Sequence, residues 1–402
     1  MTDLLPRRRL SGFYFFWFAG LGALLPYWSL YMRDRGFSAA AIGLIFGILL
    51  GTKVVAPNVW GWLVDRYGGR VVVIRLATAG AALMFLWVPF VDGFLALALL
   101  MAGYGFFSNA SIPQFEALTF NHLGSRSAGY SRIRLWGSVG FIASVAALGP
   151  LVDTGGTGWV VWWMMATLVT LFVVSLSVPD APGSRETAHG EALWTVLRRP
   201  QVASLLAVCF LVQFSHGPYY SFFSIYLEDH GYGRSLIGGL WALGVMAEVL
   251  VFAFLPAVVT RTTLRQLMLT AVALAALRWS LLAAAPDRMA IVVLVQVLHM
   301  ASFGLYHAVA VSLVHRLFRG PLQGRGQALY SSLGFGAGGA AGALSSGFLW
   351  DVLPHHWVFV MAASAAALGW VIAWLGLRGV GMVSAPDYNA SSDSRAAAAA
   401  DR

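Results

Sequence analysis

Residues 61–70 read Gly61-Trp62-Leu63-Val64-Asp65-Arg66-Tyr67-Gly68-Gly69-Arg70. The paired glycines Gly68 and Gly69 permit a tight turn that a residue with a side chain would enter only under strain. Gly61 would let a neighbouring helix approach closely. Asp65 can accept charge-assisted hydrogen bonds, while Arg66 and Arg70 hold the turn on one side of a barrier. Apolar stretches flank it on both sides, near 38–62 and 71–91, each long enough to cross about 30 Å of hydrocarbon. The ten residues therefore read as a short polar hinge between two membrane spans.

The rest of the chain extends that reading. Of 402 residues, 59% are apolar and only 11% are charged, against roughly 25% charged in an average soluble domain. Mean hydropathy is +0.73. About twelve spans follow, near 11–32, 38–62, 71–91, 94–121, 130–152, 158–178, 200–227, 235–259, 266–285, 289–315, 327–350 and 356–377. The first is rich in Trp and Tyr and continuous with the others, so it reads as a span and not as a cleaved signal peptide. A single cysteine, Cys209, excludes a disulfide within one chain and any Cys-rich metal site.

Formal charge is +9, and the positions of the basic residues explain it. Eighteen of the 26 lie in the N-terminal tail (Arg7, Arg8, Arg9), the even-numbered loops, among them Arg66, Arg70, Arg126, Arg185, Arg261 and Arg316, or the C-terminal tail (Arg378, Arg395, Arg402). Four lie in the odd-numbered loops: Arg33, Arg35, Arg234 and Arg288. By the positive-inside rule both termini are expected in the cytoplasm of a multi-pass inner-membrane protein. Such a dispersed arginine set is topology and excludes a nucleic-acid footprint. Asp34, Asp153 and Asp351 fall in odd-numbered loops and read as ordinary solvated residues.

The most polar interior stretch, 179–199, reads as a cytoplasmic linker between a first bundle (1–178) and a second (200–378), with an Ala/Ser-rich tail (379–402) expected to be disordered. Internal similarity supports the cut. Lys53 of span 2 matches Glu248 of span 8, Asp65-Arg66 matches Thr260-Arg261, and Arg70 matches Arg265, all at an offset of 195 residues. At an offset of 194, Trp136-Gly137-Ser138-Val139-Gly140-Phe141 matches Tyr330-Ser331-Ser332-Leu333-Gly334-Phe335. Such a repeat implies two six-helix bundles with a solute site between them near the midplane.

The 61–70 stretch resembles the loop signature of the major facilitator superfamily. In that family the loop is a conformational latch, and the resemblance implies Asp65 as its acid. The second copy lacks the Asp and the glycines, so only the first half is expected to keep a full latch. The resemblance implies an all-α membrane protein with the major facilitator fold and transport by alternating access.

A charge deep in hydrocarbon costs at least ~2.5–3.5 kcal/mol, so each one needs a partner, an aqueous cavity or a function. Five stand out: Lys53, Glu116, Arg134, Glu248 and Arg278. Histidines His216, His299 and His307 also fall within spans. Pro113-Gln114-Phe115-Glu116-Ala117 with Arg132-Ile133-Arg134-Leu135-Trp136 resembles the span 4–5 region of the oligosaccharide:proton symporters, typified by lactose permease. The resemblance implies that Glu116 and Arg134 face each other across the cavity and touch the solute. Arg278 and Leu298-His299-Met300 resemble the coupling network of the same permease. The pattern departs at Gln296, where the permease has Lys, and at Ser302, where it has the Glu that carries the proton. Glu248 is then the natural replacement, because a carboxyl removed from water can exchange a proton near neutral pH.

Ser215-His216-Gly217-Pro218-Tyr219-Tyr220 and Phe303-Gly304-Leu305-Tyr306 between His299 and His307 resemble the phenylpropionate permease family, which is thought to carry aromatic acids with protons. An aromatic acid needs a cationic anchor, available at Lys53, Arg134 or Arg278, and rings to stack on, available at Tyr27, Trp136 or Tyr219. The expectation is a monomeric proton symporter importing a small organic solute, with protons and the lipid bilayer as its other partners. Export of hydrophobic compounds and sugar or nucleoside symport are the alternatives within transport. No Gly-x-x-x-x-Gly-Lys-Ser/Thr or His-Glu-x-x-His string occurs, so neither a nucleotide, a metal nor any other cofactor is expected, and the chain does not read as an enzyme.

Overall fold

The computed structural model describes residues 6–124, 129–181, 193–259 and 262–378. The centre of the expected linker, the expected disordered tail and the Thr260-Arg261 half of the loop repeat lie outside the described residues. Six long helices make the first half: α1 (Arg7–Asp34), α2 (Ala39–Tyr67), α3 (Arg70–Leu86), α4 (Phe94–Leu123), α5 (Tyr130–Gly155) and α6 (Gly158–Ser177). The second half follows a short helix, Leu193–Leu197, with α7 (Pro200–Asp229), α8 (Arg234–Val259), α9 (Leu264–Ala284), α10 (Met289–Leu317), α11 (323–352) and α12 (His356–Gly376). Eleven of the described helices are long and apolar enough to cross a membrane. The twelfth, α11, is one helical run whose middle, Tyr330–Gly338, is π-helical.

Helices satisfy every backbone N–H and C=O internally, which hydrocarbon demands, and local chemistry sets where they stop. Ser38 caps α2 by accepting from the Ala41 N–H at 3.2 Å, and Thr263 with Gln266 forms a reciprocal capping box on α9. Gly68 and Gly69 both have φ of 71°, so the turn read from the 61–70 stretch is real. Gly61 is not the point of close approach expected of it: a Cβ there would meet only Gln114 Nε2, at 3.9 Å.

The packing repeats from half to half. In the first, α1 lies against α5 and α6, α2 against α4, and α3 against α4 and α6; in the second, α7 lies against α11 and α12, α8 against α10, and α9 against α10 and α12. Helices six apart thus occupy matching places. Lys53 and Glu248 each stand fourteen residues into such a pair, α2 and α8, about 21 Å along the axis at 1.5 Å per residue.

The halves meet where α2 packs on α11, α5 on α8, and α1 on α7. Small residues bring the backbones together: a Cβ on Gly43 would sit 2.7 Å from the Gly347 Cα. At the end away from the arginine-rich loops, charges close the seam. Arg33 pairs with Asp229 at 2.7 Å and with Glu228, and Arg234 pairs with Asp34 at 2.9 Å. Asp153 accepts from the backbone N–H groups of Arg234 and Ser235 at 3.0 and 3.1 Å, and Asp351 accepts from that of Ala40 at 3.1 Å. Asp34, Asp153 and Asp351 are exposed, as expected, and in addition each bonds across the seam, a role invisible without the two halves in contact. Towards the arginine-rich face the seam opens: Val55 and Trp62 of α2 and Leu250 of α8 are exposed. Among the described residues no ion pair joins the halves there.

Candidate solute-binding and coupling site

Arg278 of α9 is completely enclosed, and its five donors dictate what surrounds it. Nε donates to the Val295 carbonyl at 2.8 Å, Nη1 to Ser302 Oγ at 3.1 Å and Nη2 to Gln296 Oε1 at 3.5 Å. Its guanidinium also lies over the rings of Tyr219 (4.4 Å) and Trp279 (4.2 Å), where a ring face attracts a cation. Tyr219 donates to Gln296 Oε1 at 3.0 Å. Gln296 and Ser302, the two departures from the permease pattern, are thus both acceptors for Arg278. Among the described residues no carboxylate lies within 4.0 Å of that cation.

The remaining contact of Arg278 fixes a histidine. Nη1 lies 3.0 Å from His299 Nδ1, and a guanidinium can only donate, so Nδ1 offers its lone pair and Nε2 carries the hydrogen. Nε2 faces Glu248 Oε2 at 3.9 Å. Arg278, His299 and Glu248 form a line from the enclosed interior of the second half to its inner face. Four residues on, Phe303 stacks on His299 (5.2 Å between centroids), and His307 stacks on Phe303 (6.3 Å). His307 Nδ1 lies 2.8 Å from the Tyr330 hydroxyl. Two π-helical stretches, Met300–Leu305 and Tyr330–Gly338, carry or border these residues, a backbone form frequent at functional sites. His216 is enclosed beside Trp279 and His299, with Nδ1 2.8 Å from the Val212 carbonyl.

The first half supplies two cations. Lys53, the sole lysine, reaches across to the second half, its Nζ 5.7 Å from the centroid of Phe335, a ring that also touches Phe303, His307 and Tyr330. Arg134 lies over the rings of Phe18 at 3.9 Å and Tyr14 at 5.7 Å. Glu116 accepts from the Tyr130 hydroxyl at 3.0 Å. Among the described residues Glu116 and Arg134 form no ion pair within 4.0 Å. Lys53, Glu116, Arg134, Glu248 and His307 are half-buried, whereas Arg278, His299, His216 and Tyr219 are enclosed. The site has an accessible layer of charge and a sealed layer behind it.

Two expected site residues stand elsewhere. Tyr27 is buried at the seam, its hydroxyl 3.5 Å from the Val145 carbonyl and against Gly149 and Gly238. Trp136 is 50% exposed at the arginine-rich end of α5. The rings that stand beside Lys53, His299 and His307 are Phe335, Phe303 and Tyr330. The offset-194 match, which sets Tyr330–Phe335 against Trp136–Phe141, was the sequence signal for two of them. At the hinge, Arg70 Nε donates to Gln114 Oε1 at 3.2 Å, tying α3 to α4. Asp65 and Arg66 are exposed, and Asp65 has no hydrogen bond or ion pair among the described residues.

The profile of the MFS_1 like family matches residues 7–361. The chain is 30% identical over 372 residues to the "Probable 3-phenylpropionic acid transporter" of Escherichia coli, covering 88% of this chain and 93% of that one. It is 27% identical to the maltose permease of Geobacillus stearothermophilus, over 84% of this chain and 86% of that one. Its fold is similar to the crystal structure of the nucleoside transporter NupG, with a TM-score of 0.75 and 17% identity over 92% of this chain and 98% of that one. The chain belongs to the MFS_1 like family: it is a multi-pass membrane transporter of the major facilitator class, and not an enzyme.

Proposed function

We propose that this protein is a proton symporter that imports a small aromatic acid, of the 3-phenylpropionate kind, across the inner membrane, with both termini in the cytoplasm. The observation that carries the reading is the reach of Lys53 from the first half to Phe335 of the second, 5.7 Å from its centroid, at the start of a line of rings that runs through Phe303 to His299 and Glu248. A solute carboxylate between Arg134 and Lys53 would have Phe335, Phe303 and Tyr330 as its ring surface.

Coupling follows from charge. Two carboxylates at contact distance are not both carried as anions, so a solute anion beside Glu248 is accommodated with a proton on that carboxyl. His299 cannot take the proton at Nδ1 while Arg278 donates there, and the change of state is assigned to the carboxyl it faces, Glu248. With Glu248 protonated, the loaded site crosses with the rocking bundles; emptied towards the arginine-rich face, Glu248 returns its proton. The seam closed at one end and open at the other is the state from which release would occur. The relative at 30% identity supports the substrate class.

The test is uptake of radiolabelled 3-phenylpropionate into vesicles with an imposed pH gradient, acidic outside. Accumulation that a protonophore abolishes supports the reading. Uptake unchanged by the protonophore would remove proton coupling, and absence of uptake for a panel of aromatic acids would remove the substrate class.

A further inference from the structure

A groove of about 900 Å³ lies at the arginine-rich end between α1 and α5. Three arginines, Arg7, Arg8 and Arg132, line it together with Phe15, Phe16 and Trp136. The arginines are exposed, and among the described residues none has a hydrogen bond or ion pair. This groove is separate from the solute site. Arg132 and Trp136 stand two positions either side of Arg134, about 200° round the helix at 3.6 residues per turn, so they face away from Glu116 and Glu248. Val139 and Leu135 continue that side of α5 as exposed apolar surface, as a helix facing hydrocarbon would.

We propose that this groove binds one anionic phospholipid of the cytoplasmic leaflet. Its two ends have different chemistry. The arginines gather where the helices leave the hydrocarbon, and guanidinium groups take phosphate oxygens in pairs. The phenylalanines and Trp136 form an apolar wall pointing into the bilayer, fitted to glycerol and the first part of an acyl chain, with the indole at the depth this residue favours. Charge complementarity selects the occupant: three unpaired cations suit an anionic headgroup, and basic pockets between helices on that side of a membrane hold such lipids. A free phosphate would use the arginines and leave the aromatic wall idle. The bound lipid would brace the start of α1 against that of α5, the helix that carries Arg134.

Native mass spectrometry of the purified full-length protein tests this, with phosphatidylglycerol and phosphatidylcholine of identical acyl chains as probes. The wild type is expected to retain one phosphatidylglycerol about tenfold more strongly than phosphatidylcholine, and Arg8→Gln/Arg132→Gln to lose that preference. Arg319→Gln/Arg325→Gln, equally basic sites elsewhere on the same face, is expected to keep it. Inorganic phosphate in excess should leave the lipid in place. Equal retention of the two lipids by the wild type overturns the proposal without any variant. An unchanged preference in Arg8→Gln/Arg132→Gln, or complete displacement by phosphate, overturns it as well.

Discussion

Arg278 Nη1 donates to His299 Nδ1 across 3.0 Å, at the end of a chain that reaches Glu248 through the opposite nitrogen of the same ring. A cation that can only donate thereby sets the tautomer of a histidine and aims its N–H at a carboxylate. In the proposed mechanism the proton-exchanging role goes to Glu248, which is half-buried, and not to His299, which is enclosed. Glu248→Gln should therefore abolish gradient-driven accumulation while solute exchange at equal concentrations persists within about threefold, since equal binding in the two access states needs no proton transfer. Counterflow measured beside uphill uptake in one vesicle preparation separates the two.

Replacing the guanidinium should act through His299. Arg278→Gln removes the donor that holds Nδ1 as an acceptor and takes the guanidinium from Ser302 and the Val295 carbonyl, at about 1–3 kcal/mol for each buried group stranded. Thermal unfolding should show the loss. Infrared or NMR observation of His299 should show the ring no longer restricted to the tautomer with hydrogen on Nε2.

Lys53 tests the anchor. In Lys53→Met the apolar stem is kept and the charge is lost, so the KM for 3-phenylpropionate should rise about tenfold, the equivalent of ~1.4 kcal/mol. Binding of the uncharged amide of the same acid should change little. Equal effects on acid and amide would show that Lys53 packs and does not anchor.

The charged seam predicts a shift in access state. Exposed ion pairs contribute about 0.2–1 kcal/mol each, so Arg33→Ala, which removes contacts to both Glu228 and Asp229, should move the equilibrium towards opening on that face by about twofold to thirtyfold. Spin labels at Phe90→Cys and Met289→Cys in a Cys209→Ser background should report a larger population at long distance.

Gly140 tests the packing. A Cβ there would run into the Phe15 carbonyl oxygen and backbone, atoms that cannot turn aside. Gly140→Val should cost about 1–3 kcal/mol as overpacking, visible as a lower melting temperature, whereas Gly239→Val, with open space around it, should not.

What could be read from the residues followed from physical cost. The hinge at Gly68 and Gly69 was legible because left-handed backbone favours glycine, and the five intramembrane charges because hydrocarbon makes each one expensive. Helix pairing between halves was foreshadowed by Lys53 and Glu248 at equal offsets. Facing was not legible: lipid and protein interior are both apolar, so nothing in the pattern of a span separates a ring turned to solute from one turned to the seam or the bilayer. Hence Tyr27 and Trp136 were expected beside the intramembrane charges and stand apart from them, while Phe335 and Phe303 lie beside Lys53 and His299. The acceptor roles of Gln296 and Ser302 were hidden for another reason. They depend on where α9 meets α10, and in sequence they showed only as departures from a related pattern. Asp34, Asp153 and Asp351 are solvated as read, but their seam contacts were hidden because the partners come from the opposite half.

The central claim is that solute and proton cross together, with Glu248 as the carboxyl that changes state. The most direct measurement is the pH of a weakly buffered medium when 3-phenylpropionate is added to de-energised proteoliposomes containing the protein. The account predicts a transient alkalinisation outside that follows solute entry, and none in Glu248→Gln. Labelled solute entering with no pH change in the wild type would contradict it.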